Sequence, residues 1–414
     1  MKNKFWTGIL TGIVGTILVL VIGITASPYL LGGNKIGFGI HNKGNDLSPT
    51  QTDTTNIEEV VDKLNQLNNI IEKHYMGEID EELLIEGIYK GYVASLGDPY
   101  STYYTKEEYE SLMESSSGIY YGIGSTVSQD VKTGIITIVK PFVSSPAYEA
   151  GLLPGDILYK VDGEEVTGKD LSEVVSKIKG PEGTSAKIVI LRDGEEEELE
   201  YTVERRRIEV PTIEYSMLDN KIGYIAITEF DKVTAPQFRE AIDDLEKQGQ
   251  EGLIIDVRNN PGGLLDTVTD MLDRMLPEGL IVYTEDKYGQ REEKRADNKE
   301  SFDKPLVVLI NENSASASEI FAGAIQDYEI GSLVGTTTFG KGIVQSIYPL
   351  DDTAIKVTVS KYFTPKGRNI HEIGITPDVE VELKEELKKK VVIEKEEDDQ
   401  LLKGIEIIEG MINK

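Results

Sequence analysis

Three serines alternate with alanines in "NENSASASEIFAGAIQD", residues 311–327. The apolar run "PLVVLI" (305–310) leads into them, and an apolar helical pattern follows. Ser316 and Glu319 form S-x-x-E ahead of that pattern, which fits a capping box. A helix start is also where unpaired N–H groups stabilise negative charge. A serine nucleophile there would develop its oxyanion beside free donors. Cap and nucleophile therefore share one position, and this segment alone leaves both readings open.

A base is available in "TTTFGKGIVQ" (336–345). Lys341 lies between two glycines in an otherwise apolar run. It is either a snorkelling surface residue or a buried amine. If 341–345 is extended, Lys341 and Gln345 share a face, and the amide carbonyl of Gln345 can orient the amine. Burial disfavours the ammonium. Lowering a lysine from ~10.4 to ~7–8 takes about 3 kcal/mol or more, and such an amine accepts a serine proton. A third segment, "DVRNNPGG" (256–263), links a strand to a helix. Its ordinary role is a tight turn, but Gly262 and Gly263 can expose N–H groups as an oxyanion hole.

Composition removes most competitors. The 414 residues contain no cysteine and three histidines, His41, His74 and His371, far apart in the chain. Disulfides, thiol nucleophiles and Cys-type zinc sites are excluded, and a His-rich metal site nearly so. Only His371 competes as a triad base. The net charge of −30 repels phosphate backbones and argues against nucleic acid as a partner.

These groups need elements to position them. Phe5 to Ala26 carries no charge, and its 22 residues would span about 33 Å as a helix. The expectation is an uncleaved anchor within 1–30. Lys2 and Lys4 set the N-terminus cytoplasmic and the rest extracytoplasmic, as a single-pass membrane protein. A Gly-, Asn- and Thr-rich tether (31–55) follows. Residues 56–115 form an N-terminal helical segment, with Val60, Leu64, Leu67, Ile70 and Ile71 on one stripe. Unpartnered apolar helices at the start of a module predict a homodimer.

Residues 116–207 switch to short strands and Gly turns. "YGIGSTVSQ" (121–129) and "AGLLPGDILYKVDGEEV" (150–166) resemble a PDZ domain, the second segment residue type by residue type. The resemblance implies a groove that takes a chain end by strand addition, with Gly122, Ile123 and Gly124 as the carboxylate-binding loop. Arg192, near the end of this domain, is a candidate for coupling it to the core. Residues 208–383 read as an α/β core, and 384–414 as a charged tail ending in an amphipathic surface helix. The fold class is thus α/β and α+β, multidomain: membrane anchor, helical segment, PDZ-like domain and α/β protease core.

"DVRNNPGG", "SASASEIFAGAIQD", "TTTFGKGIVQ" and "PKGRNIHEIGITPDVEV" (365–381), downstream of a PDZ-like domain, resemble the C-terminal processing peptidases, or tail-specific proteases. The resemblance covers about residues 57–383. It implies a serine endopeptidase with a Ser–Lys dyad and no metal or cofactor. By motif, Ser316 is the nucleophile, Lys341 the base and Gln345 its assistant, with N–H groups of Gly262, Gly263 and Ala317 receiving the oxyanion. Implied partners are proteins with exposed C-terminal tails and, through the anchor, the lipid bilayer. Alternatives are a noncatalytic PDZ scaffold, which would lack the dyad, and a crotonase-like acyl-transfer core, which would not need a chain-end domain. A penicillin-binding-type S-x-x-K at Ser301–Lys304 is followed at once by Pro305, so no helix fits there.

Overall fold

A computed structural model describes residues 57–297, 299, 301–388, 390 and 393–413. The expected anchor at 5–26 and the tether lie outside the described residues. Among those described, no helix is long and apolar enough to cross a membrane. The single-pass assignment and the localisation built on it are therefore withdrawn, since no described helix carries them. The chain divides into two compact units.

The smaller unit comprises the described residues 57–106 together with 345–358. Helix Ile57–His74 buries no residue, and Ile57, Val60, Val61, Leu67 and Ile70 are exposed. Helix Glu81–Ala94 starts at Asp80, whose carboxylate accepts from the N–H groups of Glu82 and Leu83. Residues 102–104 pair antiparallel with 354–356, a strand the helical reading of this region did not contain. The Tyr89 and Tyr103 rings meet at 5.3 Å.

The larger unit covers 107–344 and the described part of 359–414. It holds two separate cores. The first belongs to residues 119–204 and is built from Ile136, Ile138, Leu158, Val174, Ile188 and Ile190. Its sheet runs in the order Ser125–Gln129, Ile136–Pro141, Ile157–Val161, Ser185–Leu191, Leu199–Glu204, which leaves the first strand at an edge. The run 121–129, expected as one strand, is broken at Ile123 and Gly124. Gly124 has φ 77°, and a Cβ there would lie 2.4 Å from the Ser145 Cβ.

The second core surrounds a six-stranded sheet. Its order is Ile213–Met217, Ile222–Ile227, Gly252–Asp256, Leu306–Ile310, Ser332–Gly335, Val379–Glu380, parallel except at the first pair. The two central strands are wholly buried, as a parallel sheet covered on both faces requires. Their side chains alternate. Leu253, Ile255, Leu306, Val308 and Ile310 face the core shared with helices Thr234–Lys247, Leu265–Asp273 and Ala317–Tyr328. Ile254, Val307 and Leu309 face the C-terminal helix, Asp399–Ile412. Hence that helix is no surface tail. Leu401 and Ile408 are buried on the sheet, and Gly404 lets the backbone approach, since a Cβ there would lie 3.3 Å from Val307.

Candidate active site

Ser316 sits between the buried Leu306–Ile310 strand and the Ala317–Tyr328 helix, on backbone with φ 54° and ψ −111°. That conformation is costly for a residue with a side chain, and such strain gathers at functional sites. The neighbouring serines have structural work. Ser314 donates to the Val257 carbonyl at 2.8 Å, and Ser318 to the Asn260 carbonyl at 2.9 Å, and both are fully buried. They fasten the serine turn to the "DVRNNPGG" loop. Ser316, between them, is only half-buried.

Glu319 organises the turn. Its side chain is fully buried, and four donors meet it. Oε1 accepts from the Thr338 hydroxyl at 2.6 Å and the Gly340 N–H at 2.7 Å. Oε2 accepts from the Ser316 N–H at 2.9 Å and the Lys341 N–H at 2.8 Å. Glu319 thus supplies one half of the expected capping box and, in addition, binds the loop that carries Lys341. The Glu319 N–H donates to the Ser316 main-chain carbonyl at 2.9 Å. Burial raises the Glu319 pKa, although all four hydrogen bonds act to lower it. Tyr362, fully buried, donates its hydroxyl to the Ser316 carbonyl at 3.1 Å.

Lys341 lies in a loop, two residues before the Ile343–Leu350 strand begins. The alternation that would put it on one face with Gln345 therefore does not apply. The loop is bent by contact with the segment after it. A Cβ on Gly342 would lie 2.5 Å from the His371 nitrogen, and the Glu372 N–H donates to the Gly340 carbonyl at 2.8 Å. Gln345, on the strand, donates its amide to Thr358 Oγ1 at 3.4 Å. His371 has a buried Nδ1 without a hydrogen-bond partner among the described residues, so no carboxylate orients it as a triad base requires.

The glycine loop lies against the serine. A Cβ on Gly262 would come within 2.8 Å of the Ser316 Cβ and 2.9 Å of the Ala317 nitrogen. The turn is held by its asparagines. Asn259 takes φ 59°, a conformation asparagine tolerates. Asn260 donates to the Ile227 carbonyl at 2.9 Å, and its Oδ1 accepts the Gly262 N–H at 2.8 Å. The Gly262 N–H is thereby engaged, which weakens it as an oxyanion donor. A Cβ on Gly263 would meet the Phe230 carbonyl oxygen at 2.4 Å. Beside this loop, burial and then the Glu229 charge push the Asp231 carboxyl up to about 7.

Sequence reasoning passed over Asn260, Thr338, Tyr362 and Arg258. Arg258 forks between Asp256 and Asp398, bonding the glycine loop to the cap of the C-terminal helix at 2.8–2.9 Å. Only the buried strand around it hinted that its charge needed partners. Gly122, Ile123 and Gly124 lie in the other core. Ile123 is buried there, so only main-chain groups of that residue can face a ligand. Arg192 is held inside the same domain by both carboxylate oxygens of Asp156, at 2.7 and 2.8 Å.

Family comparisons agree with this geometry. Residues 221–381 match Peptidase family S41, 143–192 match a PDZ domain, and 34–108 match the activating protease CtpB N-terminal domain. Carboxy-terminal processing protease CtpA of Bacillus subtilis (strain 168) is 41% identical over 78% of this chain and 69% of its own length. CtpB of the same organism is 36% identical over 86% of this chain and 76% of its own. A solved chain of S41 type from Bacteroides fragilis NCTC 9343 aligns with TM-score 0.52 at 18% identity, covering 81% of this chain and 93% of that one, which speaks for the fold alone. On these grounds the chain belongs to the carboxy-terminal processing proteases, serine peptidases of family S41 with a PDZ domain.

Proposed function

We propose that the protein is an endopeptidase that cuts protein substrates near their C-termini with a Ser316–Lys341 dyad. The single observation that carries this reading is the Glu319 carboxylate, which accepts from the main chain of both residues. The Ser316 oxygen attacks the scissile carbonyl while the neutral Lys341 amine takes its proton. The same proton passes to the leaving amine. Water then hydrolyses the acyl-serine ester and regenerates the hydroxyl. N–H groups of Gly263 and Ala317 receive the oxyanion. This assignment is supported by Ala317 heading its helix and by Gly262 being engaged with Asn260. Alanine replacements at Ser316 and Lys341 test the dyad.

The PDZ domain, in this reading, takes the substrate's chain end on the edge strand Ser125–Gln129. Two interactions hold helix Leu171–Ile178 alongside that strand. Gln129 donates to the Lys169 carbonyl at 2.6 Å, and the Gly180 N–H donates to the Tyr121 carbonyl at 3.3 Å. Exposed Val60, Leu67, Ile70 and Leu83 support self-association through the helical segment, because apolar patches of this kind mark interfaces.

A further inference from the structure

The mouth of the PDZ groove already holds an anionic side chain. Lys179 follows the last turn of helix Leu171–Ile178. Its stem passes Gly122, where a Cβ would lie 3.7 Å from the Lys179 Cγ. Its ammonium stands 5.0 Å from the centroid of the Tyr120 ring. The ammonium is not free: it is paired with Glu114, on helix Lys106–Ser117, outside the PDZ fold. Tyr120 closes the arrangement. The main-chain N–H groups of Ser125 and Gly124 lie near enough to its phenol oxygen to favour the ionised form, although burial raises its pKa overall. Those N–H groups belong to the loop that would bind a terminal carboxylate.

We propose that Lys179 is the countercharge for a ligand's terminal carboxylate, and that Glu114 and Tyr120 occupy the carboxylate seat until a chain end displaces them. This rests on the reading that the PDZ domain takes chain ends. The chemistry is exchange of one carboxylate for another. Glu114 offers Lys179 the same group that a chain end would, and the Tyr120 oxygen stands where that carboxylate would accept N–H bonds. The pair is partly exposed, with side-chain exposures of 26% for Lys179 and 35% for Glu114. A partly exposed ion pair is weak enough to be exchanged. Because Glu114 sits on the helix that leads into the PDZ domain, its release would free that helix from the groove.

The test is fluorescence anisotropy on the full chain carrying Ser316→Ala, so that no peptide is cut. The probes are a fluorescein-labelled decapeptide with an apolar last residue and free α-carboxylate, and the same peptide as its C-terminal amide. The parent protein should prefer the acid. Glu114→Gln should bind the acid about 5-fold more tightly, with the amide unchanged. Tyr120→Phe should act in the same direction. Lys179→Met should bind acid and amide alike, while Lys179→Arg keeps the preference. An unchanged preference in Lys179→Met, together with unchanged affinity in Glu114→Gln, would overturn the inference and leave chain-end binding intact. Equal binding of acid and amide by the parent protein would remove chain-end binding itself, and the inference with it.

Discussion

The main-chain N–H groups of Ser316 and Lys341 donate to the same oxygen, Oε2 of Glu319, at 2.9 and 2.8 Å. Two loops 25 positions apart in sequence are thus registered on one buried atom. The carboxylate is suited to this because it is an acceptor only, and its two oxygens serve four donors. Any shift of the lysine loop relative to the serine helix breaks a charge-assisted hydrogen bond.

Glu319→Gln should be damaging although it is nearly isosteric. One terminus of the amide is an NH2 group, so in either orientation two donors face a donor. Leaving buried donors unpaired costs about 1–3 kcal/mol each. The expected outcome is a clear drop in melting temperature and at least a ~10-fold loss of kcat. A variant with wild-type stability and turnover would show that the carboxylate registers nothing.

Gly262→Ala should lower kcat on the order of 10²-fold, since misplacing reacting groups by about 1 Å has that effect. A Cβ at this position meets the Ser316 Cβ and the Ala317 nitrogen below 3.0 Å, on backbone with φ 107°. Steady-state kinetics should show the loss mainly in kcat, with KM little changed. A selective rise in KM would instead place Gly262 in substrate binding.

Asp231 sets a pH dependence of stability. Its carboxyl is pushed up to about 7 by burial and by Glu229, against ~3.9 for an unfolded aspartate. Between those values the folded state binds the extra proton. Its stabilising effect is therefore full below about 4 and is lost as pH rises to about 7, by at most about 4 kcal/mol. Asp231→Asn should flatten the melting temperature across pH 5–8, most visibly by raising it at pH 8. Parallel curves for the two proteins would contradict the buried-acid account.

Self-association is read by light scattering. Residues 32–414 should form a dimer, and removal of 57–95 should give a monomer. The reason is the exposed stripe of Val60, Leu67 and Ile70. A monomer in both cases would leave that stripe without a partner of its own kind.

Much of the site was legible in the sequence because its signals are local. The alternating serines and the glycine pair each mark a turn by residue type alone, and the Gly-flanked lysine stands out in an apolar run. What stayed hidden depends on contacts distant along the chain. Ser314 and Ser318 look equal to Ser316 until the Val257 and Asn260 carbonyls claim them. Lys341 looked like a strand residue because Ile343 and Val344 follow it. Its loop is set by packing of Gly342 on His371, which no periodicity reveals. Glu319 read as a cap, and its bonds to Thr338 and Gly340 needed the fold. The C-terminal helix misled for the same reason, as its apolar face identifies no partner until the sheet face of Ile254 and Val307 is present.

The most direct test of the dyad is a double-mutant comparison of kcat/KM on one unstructured peptide, using Ser316→Ala, Lys341→Ala and the pair together. Each single variant should abolish measurable turnover while keeping the wild-type melting temperature. The double variant should be hardly worse than either, because nucleophile and base act as one unit. Robust turnover in Lys341→Ala, or its loss in a folded His371→Ala with Lys341 intact, would contradict the Ser316–Lys341 assignment.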